Sequence, residues 1–451
     1  MTFDDARHLL ARTGFGAPPD EIRQWIAWDR GTAVSKLLDA TTARTVTPPP
    51  PWIGRLPPPR AERKRMDQTE KKAFREERKE EARELKAWWY RELLLTPSPL
   101  TERMTLFWHN HFTSSFQKVK WPPFLYRQNV LLREQALGSF RDLLSAVARD
   151  PAMLLYLDTQ QNHKDRPNEN FARELFELFT LGEGHYSEQD IKEAARCFTG
   201  WHVDWRTGSF RVNQAKHDQG IKRLFGRTGT FTGDDVLRMT LEQPQVALHV
   251  TQKLWKEFVS DQPDPQEVDR LAGLFRRNDY RMKPLLQAIL TSPQFWAKEN
   301  RGVLIKSPAE LMVGTMRLFQ LPLPDRMALV RAGRRLGQDL FDPPNVKGWP
   351  GGTKWITTAT LPARWHVLQQ IIRGHEVGHL HGESTGLDMG DGRGAAGWLA
   401  TEPEEVLQAT LLAAPPVNPI PPAPTATTNV PIEDRRQAVR QLVLDPAYQL
   451  K

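Results

Sequence analysis

Apolar residues recur with helical spacing along most of the chain, and the pattern is clearest between residues 168 and 201. There, positions i, i+4, i+7 and i+8 form one apolar stripe: Phe171, Leu175, Leu178 and Phe179. We expect this helix to begin near Asn168, whose side chain can cap free backbone amides. Gly182 and Gly184 should end it, and a second helix follows. The segment therefore predicts two helices joined by a glycine-rich turn.

The same spacing predicts a mainly α protein. The other predicted helices cover residues 2–13, 21–38, 60–95, 98–111, 125–137, 139–147, 152–157, 246–259, 267–275, 282–290, 310–318, 327–336, 402–413 and 432–443. Residues 201–212 instead alternate between polar and apolar positions around Arg206-Thr207-Gly208, which predicts one minor β-hairpin. The expected architecture is a large multi-helix body with this hairpin and a helical C-terminal appendage.

Proline, glycine and charge runs suggest how the chain is divided. We expect a helical domain over 1–373, a flexible glycine-rich loop over 374–400, and C-terminal helices with a proline-rich linker over 401–451. Within the domain, 41–59 is a proline-rich connector and 60–95 a long charged helix. The evenly mixed charges of that helix favour a solvated surface over a docking face for an acidic partner.

One acidic residue of the central helix stands where a purely structural helix has no need of it. Glu174 falls on the border of the apolar stripe, beside Asn170 and Glu177. A carboxylate at such a border is partly desolvated when the helix packs, and so needs a partner. Arg173 lies on the far side of the helix, four residues from Glu169. A network of structural ion pairs is the alternative to a functional site here.

Four motifs carry a family resemblance: FWHNHF at 107–112, NENFARELFELFTLGEGHYSEQDIKEAARCFTGW at 168–201, HDQG at 217–220 and PPNVKGWPGG at 343–352. With them, the chain from about residue 6 to about residue 365 closely resembles the bacterial family called domain of unknown function 1800. The resemblance implies no established activity. Genes of this family often lie beside those of an uncharacterised family resembling phosphatase- or sulfatase-type proteins, which implies a possible protein partner encoded nearby.

Residue types suited to acid–base or metal-assisted chemistry concentrate in these motifs. The catalytic candidates are Glu174, Glu177, His185, His217 and Asp218, and the ligand-binding candidates are His109, His111, Asn168, Arg173 and Lys347. If they converge, a hydrolase-like site that binds a ligand or a divalent metal is expected; if they are dispersed, the protein is a non-catalytic scaffold with buried polar networks. His111 faces inward on its predicted helix and His109 is rotated away, so a regular helix cannot offer both to one metal.

A separate motif near the end matches the zinc pattern H-E-x-x-H: His375, Glu376 and His379. Two histidines one helical turn apart can bind zinc while the glutamate activates water. Gly374 and Gly378 weaken the helix that this geometry requires. A zinc metallopeptidase is therefore the third functional hypothesis.

Composition limits the kinds of partner and the cellular location that we expect. The 451 residues carry a net charge of +8 with both signs mixed, and no basic stripe with interleaved aromatic residues, so a nucleic-acid partner is not expected. No stretch approaches the ~18 apolar residues of a membrane span. The first residues do not resemble a secretory signal, which predicts a cytoplasmic protein as written, although members of the resembling family are often exported. The lone Cys197 excludes an intrachain disulfide.

Overall fold

The computed structural model describes residues 1–323, 325, 327–372, 397–418 and 432–451, with backbone only for 60, 400 and 432–436. Short helices separated by tight turns dominate its first third. These helices are α1 (Phe3–Thr13), α2 (Pro19–Ile26), α3 (Arg30–Asp39), α4 (Arg60–Arg65), α5 (Gln68–Leu95), α6 (Pro99–His111), α7 (Phe116–Val119), α8 (Pro122–Glu134), α9 (Phe140–Ala148) and α10 (Pro151–Tyr156). The predicted mainly α fold is confirmed.

Two long predicted helices are each broken by an aspartate cap. The single helix expected over 21–38 is α2 followed by α3, because the Asp29 carboxylate accepts a hydrogen bond from the Thr32 amide at 3.0 Å and starts a new helix. The helix expected over 60–95 is likewise α4 followed by α5. Asp67 and Glu70 form a reciprocal capping box at the start of α5. Helical spacing continues across both breaks, so it could not reveal them.

The central segment contains the elements that position the candidate site. Helix α11 (Asn170–Glu174) runs directly into a π-helical turn (Leu175–Thr180), and α12 (Glu188–Cys197) follows the glycine-rich turn. The predicted hairpin is present as β1 (Trp201–Asp204) and β2 (Ser209–Val212), paired antiparallel. A second small hairpin, β3 (Lys222–Leu224) with β4 (Arg227–Gly229), was not predicted. Its three-residue strands are too short to show an alternating pattern.

The rest of the described chain is helical again. Its helices are α13 (Gly233–Glu242), α14 (Pro244–Phe258), α15 (Pro265–Arg277), α16 (Met282–Leu290), α17 (Pro293–Trp296), α18 (Pro308–Leu318), α19 (Ala328–Arg335), α20 (Thr360–Ile372), α21 (Trp398–Thr401), α22 (Glu404–Leu411) and α23 (Ile432–Leu444). Short 3₁₀ turns include Gly352–Trp355 and Pro446–Gln449. The PPNVKGWPGG motif forms the loop between α19 and α20.

One large apolar core joins most of these helices, with Trp89, Trp108 and Trp255 among its largest fully buried side chains. A second apolar cluster joins α18 and α20 of the body to α22 and α23. The proline-rich connector lies against the body, since Trp52 is buried and its indole N–H donates to Glu84 at 2.7 Å. The C-terminal helices therefore share an apolar cluster with the body.

We find no helix, within the residues described, that combines the length and the apolar character needed to cross a membrane.

Candidate functional site

The first helix of the central segment is anchored through Asn168. Its backbone N–H donates to Asn162 Oδ1 at 2.9 Å, and its own Oδ1 accepts from the Asn170 amide at 3.0 Å. Asn162 in turn donates to the Ala195 carbonyl of α12 at 2.8 Å. Asn168, predicted to bind a ligand, therefore organises the start of α11 and links it to α12.

The helix then widens into the π-helical turn. The Leu181 amide donates to the Phe176 carbonyl, five residues earlier, at 2.8 Å. Such turns are rare and occur frequently at functional sites. Four side chains of this turn are buried: Leu175, Phe176, Phe179 and Thr180. The turn leaves the acidic side chains of the segment at the edge of the core.

Three side chains from other helices bind the carbonyl groups at the end of this turn. The Lys253 ammonium donates to the Leu178 carbonyl at 2.9 Å, and His249 Nε2 lies 3.0 Å from the same oxygen. His111 Nε2 lies 3.0 Å from the Phe179 carbonyl oxygen, while its Nδ1 is 3.1 Å from the Lys253 ammonium. Cationic and imidazole groups at a helix C-terminus satisfy carbonyls that lack helical partners.

Burial sets the protonation of this cluster. It holds the His111 pKa well below its usual value, and the nearby Lys253 charge lowers it further. Burial and then the Lys253 charge lower the His249 pKa to about 4, and burial lowers the Lys253 pKa to about 8. Both imidazoles are therefore neutral at pH 7, and His111 can accept a hydrogen bond from Lys253 through Nδ1.

On the outer side of the turn, carboxylates, a phenol and a lysine come together. Glu177 Oε2 accepts a long hydrogen bond of 3.4 Å from the Tyr186 hydroxyl. The ammonium of Lys347 lies 3.7 Å from Glu177 and 3.6 Å from Glu183. Lys347 comes from the PPNVKGWPGG loop, so two of the sequence motifs meet at this face. We call these residues, with Glu174, the acidic face.

Glu174 is the unusual member of the acidic face. It is half-buried, and among the described residues its carboxyl group makes no hydrogen bond or ion pair. Desolvation raises its pKa first and the Glu177 charge second, while the charges of Lys347 and Arg173 lower it less. The pKa of the Tyr156 phenol rises to about 12, through burial and then the charges of Glu174 and Asp342. Tyr156 therefore lies within electrostatic reach of Glu174.

His217 and Asp218 belong to a different network. His217 Nδ1 is 2.9 Å from the Thr199 carbonyl oxygen, and the Asp218 amide donates to the Thr199 hydroxyl at 2.8 Å. The Arg196 guanidinium donates to Asp218 at 2.7 Å. Burial alone would raise the Asp218 pKa, but hydrogen bonds from Arg196 and the Gly220 amide outweigh it and lower that pKa. These contacts fasten the HDQG loop to the end of α12.

His109 is not part of the acidic face. His109 is buried among Trp89, Phe341 and Trp349, and burial lowers its pKa to about 3. The sequence placed His109 away from the inward face of α6, but it is buried there as fully as His111, because the loop carrying Trp349 covers that side.

Arg173 and His185 lie further out. Arg173 donates to Glu188 at 2.8 Å and to Glu169 at 3.1 Å, and these hydrogen bonds, led by those to Glu188, raise its pKa. His185 is exposed on the glycine turn, within electrostatic reach of His249. Arg173 thus supports the helix, and His185 flanks the buried cluster.

The FWHNHF and PPNVKGWPGG motifs are joined by one amide. Asn110 Oδ1 accepts from the Trp349 backbone N–H at 2.6 Å. Gly348 has φ +81°, and a Cβ there would lie 2.2 Å from the same Asn110 oxygen. Only glycine permits both the backbone conformation and the close approach. This contact with Asn110 holds the loop in place, and the loop in turn places Lys347 at the acidic face.

No group of three or more histidine, cysteine, aspartate or glutamate side chains in the described ranges is arranged to hold a metal ion. The H-E-x-x-H candidates His375, Glu376 and His379 lie outside the described residues.

Sequence reasoning missed three residues of this region: His249, Lys253 and Tyr186. His249 and Lys253 are four residues apart on α14, so they lie on one face of that helix. The available sequence signal was this pair of polar residues, four apart, beside the apolar stripe of α14. Their partners, the carbonyls of the π-helical turn, are more than seventy residues away and leave no trace in local periodicity.

The fold and the acidic face define a mainly α protein with a polar site at a π-helical turn. The family model described as protein of unknown function (DUF1800) matches residues 8–450. The chain therefore belongs to the DUF1800 family, which confirms the resemblance predicted from the four motifs. No curated protein and no solved structure matches the chain.

Proposed function

We propose that the protein is a hydrolase-like enzyme that binds a small polar substrate at the acidic face, with Glu174 as its general acid. The observation that carries this proposal is the half-buried Glu174 carboxyl group, which has no hydrogen-bond partner among the described residues. Burying a carboxylate without a partner costs free energy, so such a residue is expected to have a function that offsets the cost.

The neighbours of Glu174 suit acid–base chemistry. Its raised pKa, caused by desolvation and then by Glu177, favours the protonated form that can donate to a leaving group. Glu177 has the Tyr186 hydroxyl and the Lys347 ammonium beside it, which suits a carboxylate that accepts a proton from water. Lys347 is exposed and can also meet an anionic group of the substrate. Proton transfer is thus assigned to these side chains.

The test is hydrolysis of chromogenic p-nitrophenyl carboxylate esters, phosphomonoesters and glycosides by the full chain. We expect Glu174→Gln to lower kcat for a hydrolysed substrate by about 10²–10⁴-fold. Glu134→Gln is the matched control and should leave kcat unchanged, because Glu134 is exposed on α8 and is not part of the acidic face. Unchanged circular dichroism would show that the variants fold. Absence of hydrolysis across all three substrate classes, or equal rates for wild type and Glu174→Gln, would overturn the proposal.

A non-catalytic scaffold that binds a protein partner is the second candidate. It is favoured because other polar residues of the motifs already have hydrogen-bond partners within the protein. Asp218 is bound by Arg196, and His217 by the Thr199 carbonyl. A partner should then be captured equally by wild type and Glu174→Gln in a pull-down with the purified product of a neighbouring gene. Loss of capture with Glu174→Gln would instead assign partner binding to the acidic face.

A further inference from the structure

A second region, remote in sequence from the acidic face, concentrates buried positive charge. Glu310 of α18 accepts hydrogen bonds from the guanidinium of Arg103 and the ammonium of Lys451. Arg103 also binds Glu257 at 2.6 Å. Glu310, Arg103 and Lys451 are all buried. One buried carboxylate therefore pairs with two buried cations, and the partly exposed Glu257 pairs with Arg103 as well.

Two more cations in the same region have only neutral acceptors. The Lys306 ammonium donates to the Tyr448 carbonyl at 2.8 Å and lies 4.0 Å from the centre of the Tyr448 ring. Arg364 donates to Gln449 Oε1 and to the Lys306 carbonyl, each at 2.7 Å. Among the described residues, neither cation has a carboxylate within ion-pair distance.

The electrostatic environment of Lys306 reflects this excess of buried positive charge. Burial lowers its pKa first, followed by the charge of Arg7, and the pKa falls to about 7. Arg364 and Lys451 lower it further, while Glu310 opposes them. Three cations and one carboxylate thus surround a lysine that is removed from water. Buried charge of one sign is costly unless an opposite charge is present.

A cavity opens beside these cations. It has a volume of about 40 Å³, and its charged lining residues are Arg7, Lys306, Lys451 and Glu310. Arg7 uses its Nε and Nη2 groups on a single oxygen of Asp4. To hold one water molecule, a cavity needs roughly 10–15 Å³ of solvent-accessible volume. The space therefore suits a group about the size of three waters.

We propose that this cavity is a binding site for a phosphate group, held by Lys306, Arg7 and Lys451. Three cations around one cavity match the oxygens of a phosphate better than those of a single carboxylate, because arginine and lysine both bind phosphate oxygens through charge-assisted hydrogen bonds. The phosphate is either a free inorganic ion or part of a phosphomonoester. The site is separate from the acidic face and goes beyond the proposed hydrolase function.

The experiment measures the thermal unfolding of the full chain while inorganic phosphate or methyl phosphate replaces chloride at constant ionic strength. A bound ligand stabilises the native state by RT ln(1 + [L]/Kd), so the Tm should rise steadily with the logarithm of phosphate concentration. A larger rise with methyl phosphate would identify a phosphomonoester as the ligand, and a rise with inorganic phosphate alone would identify the free ion. No rise with either would overturn the proposal.

Variants separate this site from a general salt effect. Lys306→Met keeps the apolar length of the side chain but removes the charge, and should abolish the phosphate-dependent rise. Lys256→Met is the matched control, because Lys256 is exposed and does not line the cavity. If Lys306→Met does not fold, Ala413→Glu tests the same site, because it adds a carboxylate to the cavity lining and should remove the phosphate response. A response in either site variant equal to that of wild type would overturn the proposal.

Discussion

The ammonium group of Lys253 donates to the carbonyl oxygen of Leu178 across 2.9 Å, joining α14 to the π-helical turn. His111 accepts from the same ammonium and lies against the next carbonyl of the turn. Because a lysine offers three donors, it can bind the carbonyl and the imidazole at once. The inner side of the turn is therefore supported by buried side chains, while its outer side carries the acidic face.

The lowered pKa of Lys253, about 8 against an ordinary 10.5, predicts a pH-dependent stability. Between these values the unfolded chain binds more protons than the native protein, so stability increases with pH. The contribution is complete above 10.5 and is lost as the pH falls through 8. Relative to Lys253→Met, the free energy of unfolding of wild type should increase by up to about 1.4 kcal/mol per pH unit in this window, measured by urea unfolding. A difference that does not change with pH would contradict this. Lys298→Met is the control, because Lys298 is exposed and does not contribute to the Lys253 pKa shift.

The close approach of Gly348 to Asn110 predicts that Gly348→Ala is strongly destabilising. A Cβ would lie 2.2 Å from the Asn110 side-chain oxygen and 2.6 Å from its backbone oxygen, and the backbone cannot easily move away. With the cost of a left-handed conformation added, we expect a loss of about 3 kcal/mol in guanidinium unfolding. Gly226→Ala is the control, because Gly226 also has positive φ but no atom within 4 Å of a new Cβ. Equal losses in both variants would show that the contact with Asn110 is unimportant.

Asp150 is predicted to reduce stability above neutral pH. It is buried at the start of α10, where it accepts from the Met153 amide and from Gln128, each at 2.9 Å. Burial raises its pKa to about 7 from 3.8, although these hydrogen bonds oppose the shift. The native state therefore holds the proton more tightly, and this contribution, complete below pH 3.8, is lost as the pH rises through 7.

Asp150→Asn should keep the helix cap and remove this pH dependence, because asparagine caps helices as well as aspartate does. Relative to wild type, the free energy of unfolding of the variant should increase by up to about 1.4 kcal/mol per pH unit between pH 3.8 and pH 7. Urea unfolding at several pH values measures this difference. Asp264→Asn, at the less buried start of α15, is the control. Equal stability of Asp150→Asn and wild type at pH 8 would contradict the raised pKa of Asp150.

Local pattern was sufficient for most of the helices, since an apolar stripe such as Phe171 to Phe179 identifies the buried face without further information. It could not predict the π-helical turn, because the apolar residues there suit either helical geometry. The turn is stabilised by His111 and Lys253, which are distant in sequence. Local pattern also could not decide whether His217 lies beside Glu174. Thr199 and Arg196 bind the HDQG loop, and neither was recognised as its partner.

The contact between Lys451 and Glu310 has a consequence for how the chain is made. The Lys451 amide donates to the Leu304 carbonyl, and the Lys306 amide donates to the Gln449 carbonyl, each at 2.8 Å. Domains usually fold during synthesis in N-terminal to C-terminal order. Here Glu310 of α18 cannot complete its buried ion pairs until Lys451 has been translated. Nascent chains paused before residue 446 should therefore remain sensitive to protease around α18, and become resistant only after residues 446–451 have been added and have left the ribosome.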